Sequence, residues 1–301
     1  MQFNQLRYFV AVAETNHFTR AAEVMHVSQP SLSQQIKALE RELGADLFLR
    51  ARGNITLTDA GEALLPMARR ILADADAARR EVQELAELRR GHVRLGATPS
   101  LCTGLLPDVL RAYRRQYPGI NLLVQESGSH DLVRDLARGA LDLALVVLPL
   151  PSPSPALTTE ELLREDLVVV SAPNQPPPGT GGVVHIADLK HEQLIMFRHG
   201  YDLRDLTVAA CRAEGFEPVF AVEGGEMDAV LGFARAGLGV AIVPSMVAQN
   251  AGPSLRVTPL AAPALHRTIA LAHRTDVAVP RAAQEFRRTL LDLARPAAAR
   301  R

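Results

Sequence analysis

Disulfide chemistry is nearly closed to this chain, because Cys102 and Cys211 are its only cysteines in 301 residues. A bridged scaffold is improbable at this size, and reduced cytosolic thiols fit better. Lysine is scarce as well, present only at Lys37 and Lys190 among many arginines. Formal net charge is zero. No global basic excess therefore points to a polyanion, and any positive footprint has to be local. Long apolar runs are missing. Leu143–Leu150, the longest, is interrupted by Pro149 and falls well short of the roughly 20 residues that cross a bilayer. Met1–Val12 mixes Gln, Asn and Arg among its apolar residues, unlike a secretory signal. A cytoplasmic protein without membrane contact is expected. Catalytic signatures are absent too: there is no Gly-x-Ser-x-Gly elbow and no His-Glu-x-x-His. The nine histidines show no metal-ligand spacing, and Asp131, Asp135 and Asp142 are scattered rather than paired. Neither an enzyme, nor a cofactor, nor a metal is expected.

What is present is an ordinary apolar content of 48%, enough for cores in two or three compact units. Residues 1–58 read as three short helices and a hairpin. Leu6, Phe9, Val10 and Ala13 recur at helical spacing. Thr19 is placed to cap a second helix carrying Ala21, Ala22 and Met25. Ser28 and Pro30 suit the start of a third. Leu32, Ile36, Leu39 and Leu43 share one face of it, and Gly44 ends it. Leu47–Leu49 and Ile55–Leu57 then flank the turn signal Arg52-Gly53-Asn54. The third helix turns Pro30, Ser33, Gln34, Lys37 and Arg41 away from its apolar face. Short polar groups and cations near a helix N-terminus suit base edges in a major groove. Arg50 and Arg52 stand where a wing meets phosphates or the minor groove.

Thr58 is placed to cap a long helix to about Arg89. Leu64, Ala68, Ile71, Ala75, Ala78, Val82 and Leu85 form a 4-3 seam, which argues for pairing of two such helices. The same pattern also fits an amphipathic helix lying on its own domain. Pro66 is expected to kink or restart the helix early. After Gly91 the pattern changes to strands alternating with helices, first to Val147 and again beyond the prolines at 149–155, with a closing helix at Arg281–Ala294. That alternation implies an α/β fold. Gly237-Leu238-Gly239 precedes a strand and lacks a third glycine, so it reads as a turn, not a dinucleotide fingerprint. A solute-binding protein and an enzyme with an appended helical bundle are the alternatives. The winged helix-turn-helix speaks against the first, and the missing catalytic constellation against the second.

At several places the sequence resembles LysR-type transcriptional regulators. The residues are Phe18-Thr19-Arg20-Ala21-Ala22, Val27-Ser28-Gln29-Pro30-Ser31-Leu32-Ser33, Ile36-Lys37-Ala38-Leu39-Glu40, Leu43-Gly44, Leu47-Phe48, Arg50 and Leu57-Thr58-Asp59-Ala60-Gly61. The match is dense over 1–65 and architectural over 91–301, with a local echo at Gly237–Pro244. The resemblance implies a winged helix-turn-helix at 1–58, a linker helix at 59–90 that dimerises, and an effector-binding domain at 91–301. That domain would hold two Rossmann-like subdomains, 91–161 with 267–301 and 162–266, as in periplasmic solute-binding proteins. It further implies double-stranded DNA as a partner, a homotetramer built as a dimer of dimers, and possible contact with RNA polymerase. The expected DNA contacts are Gln29, Pro30, Ser31, Ser33, Gln34, Lys37, Arg41, Arg50 and Arg52.

Crossovers near Glu160–Arg164 and Ala264–Arg267 would leave a crevice between the subdomains. Ligands in open α/β sheets sit at the C-terminal ends of strands. Those ends carry Thr98, Pro99, Ser100, Ser127, Gly128 and Ser129, faced by Phe197, Arg198, His199 and Glu226. Hydroxyls, helix N-terminal amides and one arginine suggest a small carboxylate or similar anion. Glu226 argues against a highly charged one. Cys102 lies between a strand and its helix, where a dipole would lower its pKa and suit a thiol sensor; a small, partly buried structural residue is the plainer reading. Peroxide-sensing members of the family use a close cysteine pair, which Cys211 lacks.

Overall fold

The computed structural model describes residues 1–51, 54–84, 91–150 and 156–299. Two compact units emerge, one built on Met1–Gln83 and the other on most of the later chain.

The first unit contains α1 (Phe3–Thr15), α2 (Phe18–Val24), α3 (Gln29–Leu43), β1 (Phe48–Ala51), β2 (Asn54–Leu57) and α4 (Asp59–Glu84). Its core takes Leu6, Phe9 and Val12 from α1, Ala21 from α2, and Leu32, Ile36 and Leu39 from α3, all nearly or fully buried. Phe48 ties the hairpin to this core, with its ring 5.4 Å from Phe9 and 5.8 Å from Phe18. Leu43 departs from the expected apolar face and is 43% exposed. It is the last helical residue before Gly44, which turns the chain at φ 71°, so no neighbouring element covers it. The cap of α2 is His17 rather than Thr19: the Thr19 N–H donates to His17 Nδ1. Ser28 caps α3 as expected, accepting from Ser31 N–H.

Glu40 points inward and accepts the Leu47 N–H at 3.0 Å, which fixes the base of the hairpin. Thr58 performs a double role. Its hydroxyl accepts the Gly61 N–H at 3.0 Å and donates to the Asp46 carbonyl at 2.6 Å. A Cβ on Gly61 would lie 2.3 Å from the Leu47 carbonyl oxygen, so only glycine lets α4 start this close to the wing. The seam on α4 is divided. Ala68 is fully buried in its own unit's core, and Leu64 and Ile71 pack against that core. Ala78 is exposed. Leu85 lies outside the described residues. α4 continues through Pro66 instead of restarting.

The second unit begins with β3 (Gly91–Ala97), α5 (Pro99–Gly104), α6 (Leu106–Gln116), β4 (Ile120–Glu126), α7 (Ser129–Ala137) and β5 (Leu143–Leu148). β3 lies parallel to both β4 and β5. β6 (Leu157–Ser171) is a single strand of 15 residues. The second half adds β7 (Leu194–Met196), α8 (Asp202–Ala213), β8 (Phe220–Glu223), α9 (Met227–Arg235), β9 (Ala241–Pro244), α10 (Ser245–Asn250) and β10 (Arg256–Pro259). β11 (His266–Arg274) and α11 (Arg281–Ala299) return to the first half.

The crossing expected near Glu160–Arg164 is made by β6 as one uninterrupted strand. Leu157–Asp166 pair antiparallel with β11, and Leu167–Ser171 continue the same strand between β9 and β10. Leu162 and Leu163, expected to open the second subdomain, are buried in the first core with Leu143, Leu145, Ile269 and Phe286. A separate core gathers Leu167, Val169, Leu194, Phe197, Val230 and Ile242. A continuous strand crosses without breaking a ladder, so every backbone group keeps its partner at the junction. There Glu165 and Arg267 form a fully buried ion pair at 2.7 and 2.9 Å, and Glu165 also accepts the Met246 N–H.

Candidate nucleic-acid interface and effector crevice

The face of α3 opposite its core is open. Gln29, Pro30, Ser31, Gln34, Lys37 and Arg41 are exposed, and Ser33 is half-buried. Gln34, Lys37 and Arg41 line a groove of about 890 Å³ that runs to Phe48 and Leu49 at the hairpin. Lys37 makes no ion pair among the described residues, and Arg41 spends one N–H on the Lys37 carbonyl at 3.3 Å. Side chains whose donors are uncommitted can meet base edges and phosphates without first breaking a contact. Arg50 lies in β1, paired with Ile55; Arg52 lies outside the described residues.

In the second unit, the ends of β3, β4 and β5 meet the second half through specific contacts. The Ser127 N–H donates to the Ala97 carbonyl, joining the ends of β3 and β4. Thr98 and Ser100 are buried, with their hydroxyls 3.5 Å apart. Pro99 opens α5 without an N–H to offer. Leu101 and Cys102 N–H both return to the Thr98 carbonyl. The six-residue α5 therefore offers little of the free amide charge that the sequence reading assigned to it.

Ser129 is the link across. Its hydroxyl donates to Asp202 Oδ2 at 2.7 Å and accepts the Val147 N–H at 3.3 Å. A Cβ on Gly128 would sit 3.6 Å from the Gly200 carbonyl oxygen and 4.0 Å from the Arg198 guanidinium. Residue 128 thus lies against Gly200 and Arg198 of the second half. Arg198 is bound to Glu226 and donates to the His199 carbonyl at 3.2 Å. The Glu226 hydrogen bond holds Arg198 above its ordinary pKa. Ser127 donates to Asp131 at 3.3 Å.

Gly128, Ser129, Arg198 and Glu226 are thus joined across the two halves by these contacts, while Thr98 and Ser100 are buried beside one another at the end of β3. Two expected members are placed differently. Phe197 is 1% exposed, with its ring stacked 4.5 Å from Tyr201. The His199 side chain lines a separate depression on the outer face of α8.

Sequence reasoning passed over Tyr201 and Asp202. Tyr201 is 4% exposed and its hydroxyl has no hydrogen-bond partner among the described residues. It lies among charges from both halves, Arg267, Glu226, Asp202 and Glu126, and burial raises its pKa. Glu226 Oε2 is likewise buried with no partner among the described residues. Orphaned buried polar atoms are rare and call for a reason. Burial also raises the pKa of Asp202, against the lowering effect of the Ser129 hydrogen bond. The one signal for both residues is their position just past Gly200 at the start of α8.

Cys102 does not behave as a dipole-activated thiol. Burial and the nearby Glu126 push its pKa up to about 12, and burial lifts Cys211 to about 11. Among the described residues there is no His/Cys/Asp/Glu cluster fit for a metal, and no helix is long and apolar enough to cross a membrane.

Comparison with known proteins matches these two units. Residues 3–62 fit the family described as bacterial regulatory helix-turn-helix protein, lysR family, and residues 86–295 fit the LysR substrate binding domain. The transcriptional dual regulator GltC of Bacillus subtilis is 32% identical over 272 residues, covering 90% of each chain. A full-length OxyR variant from Pseudomonas aeruginosa superposes with a TM-score of 0.74 at 29% identity, over 98% of this chain and 95% of that one. Full-length CbnR in complex with its target DNA gives 0.73 at 27% identity, over 99% and 100%. The chain thus belongs to the LysR family of bacterial transcriptional regulators, with a helix-turn-helix reading head and an effector-binding domain.

Proposed function

We propose that this regulator reads DNA through the open face of α3 and is switched by a small carboxylate, or a similar anion, held between the halves of its second unit. Gln34 and Lys37 contact bases or lie next to them, with Gln29, Pro30, Ser31, Ser33 and Arg41 beside them. Arg50 and Arg52 contact the backbone of the DNA. The observation that carries the effector reading is the Ser129 bridge, together with the orphaned Tyr201 hydroxyl and Glu226 Oε2 nearby. α7, α8 and α9 all begin at this crevice, at Ser129, Asp202 and Met227, and helix N-termini favour negative charge. Asp202 and Glu226 limit that preference to a ligand of low charge and offer acceptors to a donor group beside its carboxylate. Ser100, Thr98 and Arg198 complete the contacts, with Pro99, Ser127, Gly128 and Phe197 shaping the surroundings.

Effector binding shifts the two halves and changes how paired α4 helices hold two reading heads, in a dimer of dimers in the cytoplasm that is able to contact RNA polymerase. Thiol-based peroxide sensing fits poorly with two cysteines of raised pKa. The test is effector-dependent transcription in Ser100→Ala, Tyr201→Phe and Arg198→Ala. Each should shift the response to higher effector concentration while operator binding without effector stays intact. A response unchanged in all three would exclude the crevice.

A further inference from the structure

Two polar atoms of the effector crevice have opposite needs. The Tyr201 hydroxyl belongs to a side chain 4% exposed and has no hydrogen-bond partner among the described residues. Burial keeps this phenol protonated, so it has a proton to donate and calls for an acceptor. Glu226 stands at the N-cap of α9 but its side chain does not cap that helix. Its Oε1 accepts from Arg198. Its Oε2 is buried with no partner among the described residues, although the side chain as a whole is half-exposed. A carboxylate oxygen calls for a donor. A ligand that satisfies both atoms presents one group of each kind.

The surrounding charges decide what the donor is. Arg198 is paired with Glu226, and Arg267 with Glu165, so both guanidinium charges are already balanced. Asp202 and Glu126 act on Tyr201 from opposite halves and make no ion pair among the described residues. The positive helix ends are compensated as well. Asp131 lies in the first turn of α7, Asp202 and Asp205 in that of α8, and Asp228 in that of α9, where an acid offsets the dipole. A carboxylate alone thus enters a field that is negative on balance. A cation alone leaves the Tyr201 donor without an acceptor. A carboxylate joined to an ammonium meets both atoms, and its charged donor bonds a carboxylate oxygen more strongly than a neutral one does.

We infer that the effector is an amino acid, with its carboxylate accepting from Tyr201 and its ammonium donating to Glu226 Oε2. This rests on the crevice being the effector site, and it narrows the anion proposed there to a zwitterion of no net charge at these groups.

The experiment is calorimetric titration of the full chain with each proteinogenic amino acid. Every binder is then compared with the acid that lacks its amine and the amine that lacks its carboxylate. Saturable binding of at least one amino acid, one per chain, is expected, with both truncated compounds at least tenfold weaker. Tyr201→Phe should weaken the amino acid at least tenfold at an unchanged melting temperature, since the hydroxyl it removes bonds nothing among the described residues. Glu226→Gln should weaken the amino acid at least tenfold yet strengthen the acid without the amine, because Arg198 loses its partner. A merely structural role for Glu226 would weaken both, and that result overturns the inference. An amine-free acid that binds as tightly as the amino acid, and is lost in Tyr201→Phe, overturns the inference and leaves the crevice standing. Amino-acid binding untouched by both variants overturns the inference and the crevice together. Absence of binding by every amino acid overturns the inference alone, and the crevice then stands or falls on the transcriptional response of its own variants.

Discussion

Gln34 and Lys37 stand exposed on a helix whose opposite face is buried at Leu32, Ile36 and Leu39. Their rotamers are free, but the backbone that carries them is not. Gln34→Ala should relax sequence preference and cost roughly 1–3 kcal/mol at the cognate site if the contact is bidentate. Lys37→Ala should reduce the slope of log affinity against log salt by about 1 if it meets a phosphate. Footprints identical to wild type for both variants would dissociate α3 from recognition. The cysteines make a prediction of the opposite kind. Their raised pKa values, about 12 and about 11, keep both as thiols at neutral pH. At pH 8 a free thiol is roughly one quarter thiolate, so alkylation of either cysteine in the native protein should be on the order of 100-fold slower or more. Because the shift is upward, the rate should climb about tenfold per pH unit until it nears the raised pKa. Fast labelling at pH 8 would contradict the burial seen here.

At the scale of elements, α4 serves two masters. Its early seam residues, Leu64, Ala68 and Ile71, belong to the core of the reading head, while Ala78 is exposed. A heptad pattern alone cannot separate these uses, since both require apolar residues at the same spacing. Ala68→Leu should destabilise the head itself by roughly 1–3 kcal/mol, as overpacking does in a full core. Ala78→Asp should leave the head's melting unchanged and weaken pairing in sedimentation. If Ala78→Asp chains assemble like wild type, the exposed half of the seam is not the dimer contact. The hairpin shows the same economy. Glu40 of α3 and Thr58, just ahead of α4, hold its base, so the wing's position depends on both helices.

At the scale of the molecule, the second unit is held together where β6 and β11 cross between its cores. Glu165 and Arg267 carry opposite charges into a site with almost no water access. Breaking such a pair leaves one charge uncompensated, at about 3–5 kcal/mol. Glu165→Gln should therefore lower the melting temperature by several degrees. Replacing both residues with methionine should restore much of the loss, since burying apolar groups carries no comparable desolvation cost. A double variant no more stable than the single would show that Met246, which also depends on Glu165, is the dominant partner.

Much of this protein was legible in its sequence because local rules decided it. The spacing of Leu32, Ile36 and Leu39, the Ser28 cap and Gly44 specify α3 and its solvent face without any distant contact. The strand-helix alternation after Gly91 likewise specified two α/β halves and placed Thr98, Ser100, Gly128 and Ser129 at the ends of strands. The rest was set by tertiary structure. A strand's period does not reveal whether it stops at a boundary or runs through it, so the continuity of β6 past Glu160–Arg164 depended on pairing with β9, β10 and β11. The Ser129–Asp202 contact joins residues 73 positions apart, and no local pattern encodes it. Tyr201 carried no sequence signal, and only the packing of both halves around it left its hydroxyl buried with no hydrogen-bond partner among the described residues. The pKa values of Cys102 and Cys211 were likewise decided by burial, because desolvation is a property of surroundings and not of sequence position.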